Sequence, residues 1–214
     1  MLQNRIDQIK SKLSEGTQLI AVSKTYGPEL INEAIDCGIT DIGENKVQEI
    51  LSKYDFVQPV RWHFIGHLQT NKVKQIVDKV YMIHSVDSLH LAEEISKRAS
   101  KPINILIQVN AAGETQKFGV SVNEVKTLAE EIVKLPNIKL RGLMHIAPAS
   151  DNPEDVRVYF KEVKKIFDEL KPQFGDEFDT LSMGMSNDYE VAMEEGSNCV
   201  RIGTAIFGQR DYSK

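Results

Sequence analysis

The chain has 214 residues, with 26 Lys and Arg against 31 Asp and Glu, a net charge of -5. Its basic residues are scattered, so no stretch is dense enough to follow a nucleic-acid backbone, and no apolar run approaches the ~18 residues of a membrane span. The two cysteines, Cys37 and Cys199, lie far apart with no CxxC pair, so neither a disulfide framework nor a thiolate zinc site is expected.

In chain order, MLQNRIDQIKSKL is amphipathic and carries acid as well as base, unlike a signal peptide. It reads as an additional helix over 2–15 and, with the free thiols, points to a cytoplasmic protein. Short β-branched runs then alternate with segments of 3.6-residue periodicity. LIAVS (19–23) precedes PELINEAIDCG, DIGE (41–44) precedes NKVQEILSKY, and RWHFIG (61–66) precedes TNKVKQIVD. VYMIHSV (80–86) leads into SLHLAEEISKRA, and NILIQVN (104–110) into VNEVKTLAEEIVKL. LRGLMHI (140–146) is followed by PEDVRVYFKEVKKIFDEL, DTLSMG (179–184) by NDYEVAMEEG, and CVRIG (199–203) is the eighth run. Gly38 and Gly196 stand where two helices should end. In the longest helix, Val156, Phe160, Val163 and Phe167 share the face expected to turn inward.

No linker divides the sequence, so residues 1–214 read as a single domain. Eight strand-like runs with helices between them point to the α/β class, and the economical closure is a single (β/α)8 TIM barrel with an extra N-terminal helix. An open doubly wound sheet is the alternative. Against it, the first strand lacks a GxGxxG turn, and no P-loop occurs.

Active sites of such barrels lie at the C-terminal strand ends, with phosphates often held after strands seven and eight. Those two loops read SMGMSND (182–188) and RIGTAIFG (201–208). Glycines and hydroxyls at helix starts suit an anion, with Asn187 and Asp188 placed to cap the following helix. The same residues also suit ordinary tight turns. Lys24 ends strand one, beside strand eight, and shares a face with Ile20 and Val22 by the period of two. If that face is inward, the amine hangs over the barrel mouth. A desolvated lysine near Arg201 becomes a nucleophile toward aldehydes, and the combination suits pyridoxal phosphate.

The stretches AVSKT (21–25), IGENKVQE (42–49), WHFIGHLQTNK (62–72), LRGLMHIAP (140–148), LSMGMSNDYEVA (181–192) and VRIGTAIFGQRDY (200–212) resemble the pyridoxal phosphate homeostasis protein family. That family is related to the N-terminal barrel of alanine racemases. The resemblance spans nearly the whole chain and implies one cofactor-binding barrel. It implies that Lys24 forms the Schiff base, and that Ser186, Gly203 and Thr204, with the backbone at Met185, hold the phosphate. Arg201 would face the pyridine nitrogen, and Asn45 would lie beside the ring. The sequence departs from the common pattern after the lysine, where it reads KTYGP.

The implied role is cofactor homeostasis: holding pyridoxal phosphate and buffering or delivering it, with apo-enzymes as candidate recipients. Catalysis is not expected. An arginine keeps its own proton and leaves the ring nitrogen largely neutral, which weakens the electron sink. Racemisation also needs an acid/base on the opposite cofactor face. In alanine racemases that is a tyrosine from a further domain, which a chain ending at Lys214 is not expected to supply. Tyr26, His63, His67 and His145 are internal candidates, with His63 read as a hydrogen-bonded strand residue. Gly66 breaks the HxxxH spacing, so no metal site is expected. Ser182 and Ser186 sit in no GxSxG elbow, and Cys199 reads as core. A racemase, and a cofactor-free Schiff-base aldolase, remain as alternatives. A monomer is the expected state.

Overall fold

The computed structural model describes residues 1–114 and 118–208, so the QRDY end of the last motif lies outside the described residues. Its strands are β1 (Gln18–Val22), β2 (Asp41–Glu44), β3 (Arg61–Phe64), β4 (Met82–Val86), β5 (Ile103–Val109), β6 (Ile138–His145), β7 (Thr180–Ser182) and β8 (Cys199–Ile202). Each pairs in parallel with the next. β8 returns to β1 with Ile20 opposite Arg201, which closes the barrel. Every expected strand is present. β7 is shorter than expected because Gly184, at φ 91°, turns the chain away.

The helices are α1 (Leu2–Lys10), α2 (Pro28–Asp36), α3 (Val47–Lys53), α4 (Val73–Ile76), α5 (Leu89–Arg98), α6 (Val125–Ile132), α7 (Arg157–Phe174), α8 (Tyr189–Glu194) and α9 (Thr204–Phe207). The leading helix ends before residue 15. The amides of Ser11 and Lys12 close the last turn on Asp7 and Ile9, and Gly16 at φ 79° redirects the chain into β1. Gly38 and Gly196 follow α2 and α8 in the left-handed region, at φ 82° and 92°, as C-cap glycines do. Among the described residues no helix is long and apolar enough to cross a membrane.

Alternation along the strands divides the molecule into two cores. Outward residues such as Ile42, Phe64, Ile83, Leu143 and Val200 pack beneath the helices with Ile31, Leu91, Phe160 and Val163. Each fully buried side chain of this size contributes roughly 1.5–3 kcal/mol. Val156, Phe160, Val163 and Phe167 all turn inward as their spacing requires. The barrel interior is different. Met82, Leu106 and Met144 form a small apolar layer with Ile146 packed against it. Around them Asp41, His63, His84, Ser182 and Arg201 are all buried, where barrels of this fold usually place branched aliphatics.

Candidate functional site

A cavity of about 640 Å³ opens at the C-terminal ends of the strands. That volume lies in the range that holds small organic ligands. Val22, Ile65 and Ile146 supply apolar wall. Lys24 and Asn45 enter from the ends of β1 and β2. Met185 and Ser186 come from the loop after β7, and Arg201, Gly203 and Thr204 from β8 and its exit. All seven residues singled out in the sequence therefore line one cavity.

The two phosphate-loop candidates are joined to each other. Ser186 Oγ accepts a hydrogen bond from the Ala205 amide at 3.4 Å, and the Arg201 amide donates to the Gly184 carbonyl at 3.0 Å. Asp188 does not cap α8 as its position suggests. Its Oδ1 accepts from the Met185 amide at 2.6 Å, which folds the loop back on itself. Burial raises the pKa of Asp188, opposed by that amide and by Arg201.

Lys24 is half-buried, and its neighbours on both sides are fixed by a cluster from β2 and α3. Lys53, on α3, donates to the Ser23 carbonyl at 3.2 Å, to Glu44 at 2.8 Å and to Glu49 at 2.9 Å. Glu44 also accepts from the Ser23 hydroxyl at 2.6 Å, and Glu49 accepts from the Thr25 amide at 2.7 Å. Thr25 stands at φ 74°, a left-handed conformation that a β-branched residue rarely adopts. The cluster thus holds the bent backbone that carries Lys24. Sequence reasoning missed it; the i,i+4 pair Glu49–Lys53 was the one signal available.

Two polar features suit an anionic or polar aromatic ligand. Asn45 Oδ1 is buried without a hydrogen-bond partner, which costs free energy unless a ligand satisfies it. Gly66 allows this placement, since a Cβ there would strike the Asn45 carbonyl. Arg201 is 3% exposed and, among the described residues, has no carboxylate within ion-pair distance. Its Nη1 donates to Ser182 Oγ at 2.5 Å and its Nη2 to the His145 carbonyl at 2.8 Å. Burial lowers its pKa, yet a guanidinium stays charged in proteins.

The remaining candidates lie elsewhere. Tyr26 donates to the Gly208 carbonyl at 2.9 Å and packs on Phe207. His63 is inside the barrel, hydrogen-bonded to Asp41 and His84, in agreement with the structural reading. His67 stacks on Phe118, and His145 bonds the Val109 carbonyl beside Tyr159 and Phe160. Cys199 is buried in β8, as expected of a core residue.

These features define a parallel (β/α)8 barrel with a lysine, an arginine and two glycine-bearing loops around one mouth. The sequence pattern of the alanine racemase N-terminal domain matches residues 1–211. The pyridoxal phosphate homeostasis protein of Aquifex aeolicus is 50% identical over 200 residues, covering 91% of this chain and 88% of its own. The structure of PipY from Synechococcus elongatus with pyridoxal phosphate bound superposes with a TM-score of 0.88 at 32% identity, covering 97% of this chain and all of that one. Alanine racemase from Clostridium difficile shares the fold, with a TM-score of 0.81 at 18% identity, and this chain covers 59% of it. The chain belongs to the pyridoxal phosphate homeostasis protein family, within the wider alanine racemase N-terminal domain group.

Proposed function

We propose that this protein binds pyridoxal phosphate through Lys24 and serves as a reservoir that buffers the cofactor and passes it to apo-enzymes. The observation that carries this reading is the convergence of Lys24, Asn45, Ser186, Arg201, Gly203 and Thr204 on one cavity. The residues present fit the group. Lys24 supplies the amine, and the loops at Met185–Ser186 and Gly203–Thr204 supply hydroxyls and backbone for the phosphate. Arg201 would face the ring nitrogen and donate to it. Asn45, with its unpartnered oxygen, would flank the ring. When bound, the cofactor supplies an aldehyde for the Lys24 amine.

What surrounds the mouth supports a holding role without turnover. Among the described residues no histidine or tyrosine lines the cavity, and of its two carboxylates, Asp151 and Asp188, the latter is engaged by the Met185 amide. Tyr26 is engaged with Gly208. We read the protein as a cytoplasmic monomer acting as one barrel domain. The test is the visible absorption of purified protein given pyridoxal phosphate, with and without borohydride. Wild type should show the band and Lys24→Ala should not. Solvent deuterium should enter the α-carbon of alanine no faster than with free cofactor. A band retained in Lys24→Ala would overturn the binding reading, and enzyme-like exchange would overturn the holding role.

A further inference from the structure

From Arg201 in the cavity wall, a run of hydrogen bonds leads back through the barrel interior. Arg201 Nη1 lies 2.5 Å from Ser182 Oγ, and that oxygen lies 3.1 Å from His84 Nδ1. His84 Nε2 lies 2.9 Å from His63 Nδ1, and His63 Nε2 lies 2.8 Å from Asp41 Oδ1. At the far end Arg61 holds both Asp41 oxygens, at 2.8 and 2.6 Å. Asp41 and Arg61 line a second cavity at the opposite barrel end.

With Asp41 ionised and both histidine rings neutral, the donor order of this run has one solution. An arginine has only N–H donors, so Ser182 Oγ accepts from Arg201. With both rings neutral, the hydroxyl's single proton goes to His84 Nδ1 rather than to the neighbouring Cys199, because a bare Nδ1 has no other donor. A neutral His84 carries its proton on Nε2 and donates to His63 Nδ1. His63 in turn carries its proton on Nε2 and donates to Asp41, a carboxylate that can only accept. Burial lowers the pKa of both histidines, consistent with neutral rings. At Asp41 burial opposes ionisation, but bonds from His63, Arg61 and Thr40 outweigh it and hold the carboxyl below its usual range.

We propose that Ser182, His84, His63 and Asp41 form a one-way chain that positions the Arg201 guanidinium for the cofactor ring nitrogen; this rests on the cofactor reading above. The chain is not a proton relay. Its cavity end is an arginine, which keeps its proton. Its work is orientation. If His84 carried its proton on Nδ1 instead, Ser182 would lose that acceptor and its hydroxyl would be free to rotate, so its lone pairs would no longer be fixed on Arg201. Fixed as they are, Ser182 and the His145 carbonyl each hold one terminal nitrogen of the guanidinium. Asp41 supplies a negative charge at the other end, and polarisation along the bonds favours the positive charge on Arg201.

The test has two arms. Nitrogen-15 NMR of the ligand-free protein should show His63 and His84 both neutral and protonated on Nε2. A proton on Nδ1 of either, or a charged ring, would overturn the chain. In the second arm, Ser182→Ala removes the link beside Arg201. It should weaken pyridoxal phosphate binding about tenfold, as loss of a bond to a charged group does. Affinity for the analogue with carbon in place of the ring nitrogen should stay within about twofold of wild type, because Arg201 has nothing to donate to there. Equal loss for both ligands, or no loss for either, would overturn the positioning role. Wild type failing to bind pyridoxal phosphate at all would instead overturn the cofactor reading, and the NMR arm would still decide the chain.

Discussion

Lys53→Met tests the account of how Lys24 is held. Lys53 is 6% exposed and Glu44 is fully buried, with the two 2.8 Å apart. Removing one partner of such a pair leaves an uncompensated buried charge and costs about 3–5 kcal/mol. Glu49 is better hydrated, at 19% side-chain exposure, so water replaces part of that bond and the loss should fall near the lower end, about 3 kcal/mol. In a domain of this size ~1 kcal/mol moves the melting temperature by roughly 2–4 °C, so a fall of about 6–12 °C is expected by calorimetry.

The pH dependence of that loss has a defined sign. Burial holds the folded Glu44 pKa above its ordinary value, with Lys53 opposing. A carboxyl raised in this way costs stability as pH rises through its folded value, and loss of Lys53 raises it further. The deficit should therefore be widest near neutrality and shrink as pH falls, closing below about pH 3.5, where Glu44 is largely protonated in folded and unfolded chains alike. Adding Glu44→Gln keeps an acceptor for Ser23 and removes the stranded charge, so the double variant should recover part of the loss. A melting temperature within about 2 °C of wild type for Lys53→Met, or a double variant less stable than the single, would refute the buried-pair reasoning.

Two further outcomes follow from the packing around the site and in β8. Gly66→Ala places a methyl against the Asn45 carbonyl, so it should cost about 1–3 kcal/mol by urea unfolding and weaken cofactor retention severalfold; unchanged retention would detach Asn45 from the site. Burial pushes the Cys199 thiol up to about 11, so a disulfide reagent should modify Cys37 in the native protein and Cys199 only after unfolding, whereas fast native reaction of both would contradict the core placement.

The barrel was legible because each strand is a short, largely buried run closed by a turn, and the longer helices keep a 3.6-residue stripe. The mouth was legible for a related reason. Lys24, Ser186 and Gly203 sit at or just beyond strand ends, where the fold concentrates chemistry. Other contents escaped because pattern fixes which face a residue takes, not what it meets there. His84 and Ser182 are 98 residues apart in sequence, and neither their contact nor the polar barrel interior leaves a periodic trace. Lys53 has an exposed-helix character in any amphipathic reading; it is buried because Glu44 and Glu49 neutralise it from two elements. Asp188 looked like a cap, yet the tight turn at Gly184 brings the Met185 amide to it first.

The central claim is a covalent bond between Lys24 and the cofactor. Borohydride reduction of the protein loaded with pyridoxal phosphate, followed by digestion and peptide mass analysis, reads it directly. One modified peptide is expected, carrying the reduced pyridoxyl phosphate on Lys24. Modification confined to other lysines, or none in a protein that retains the cofactor, would contradict it.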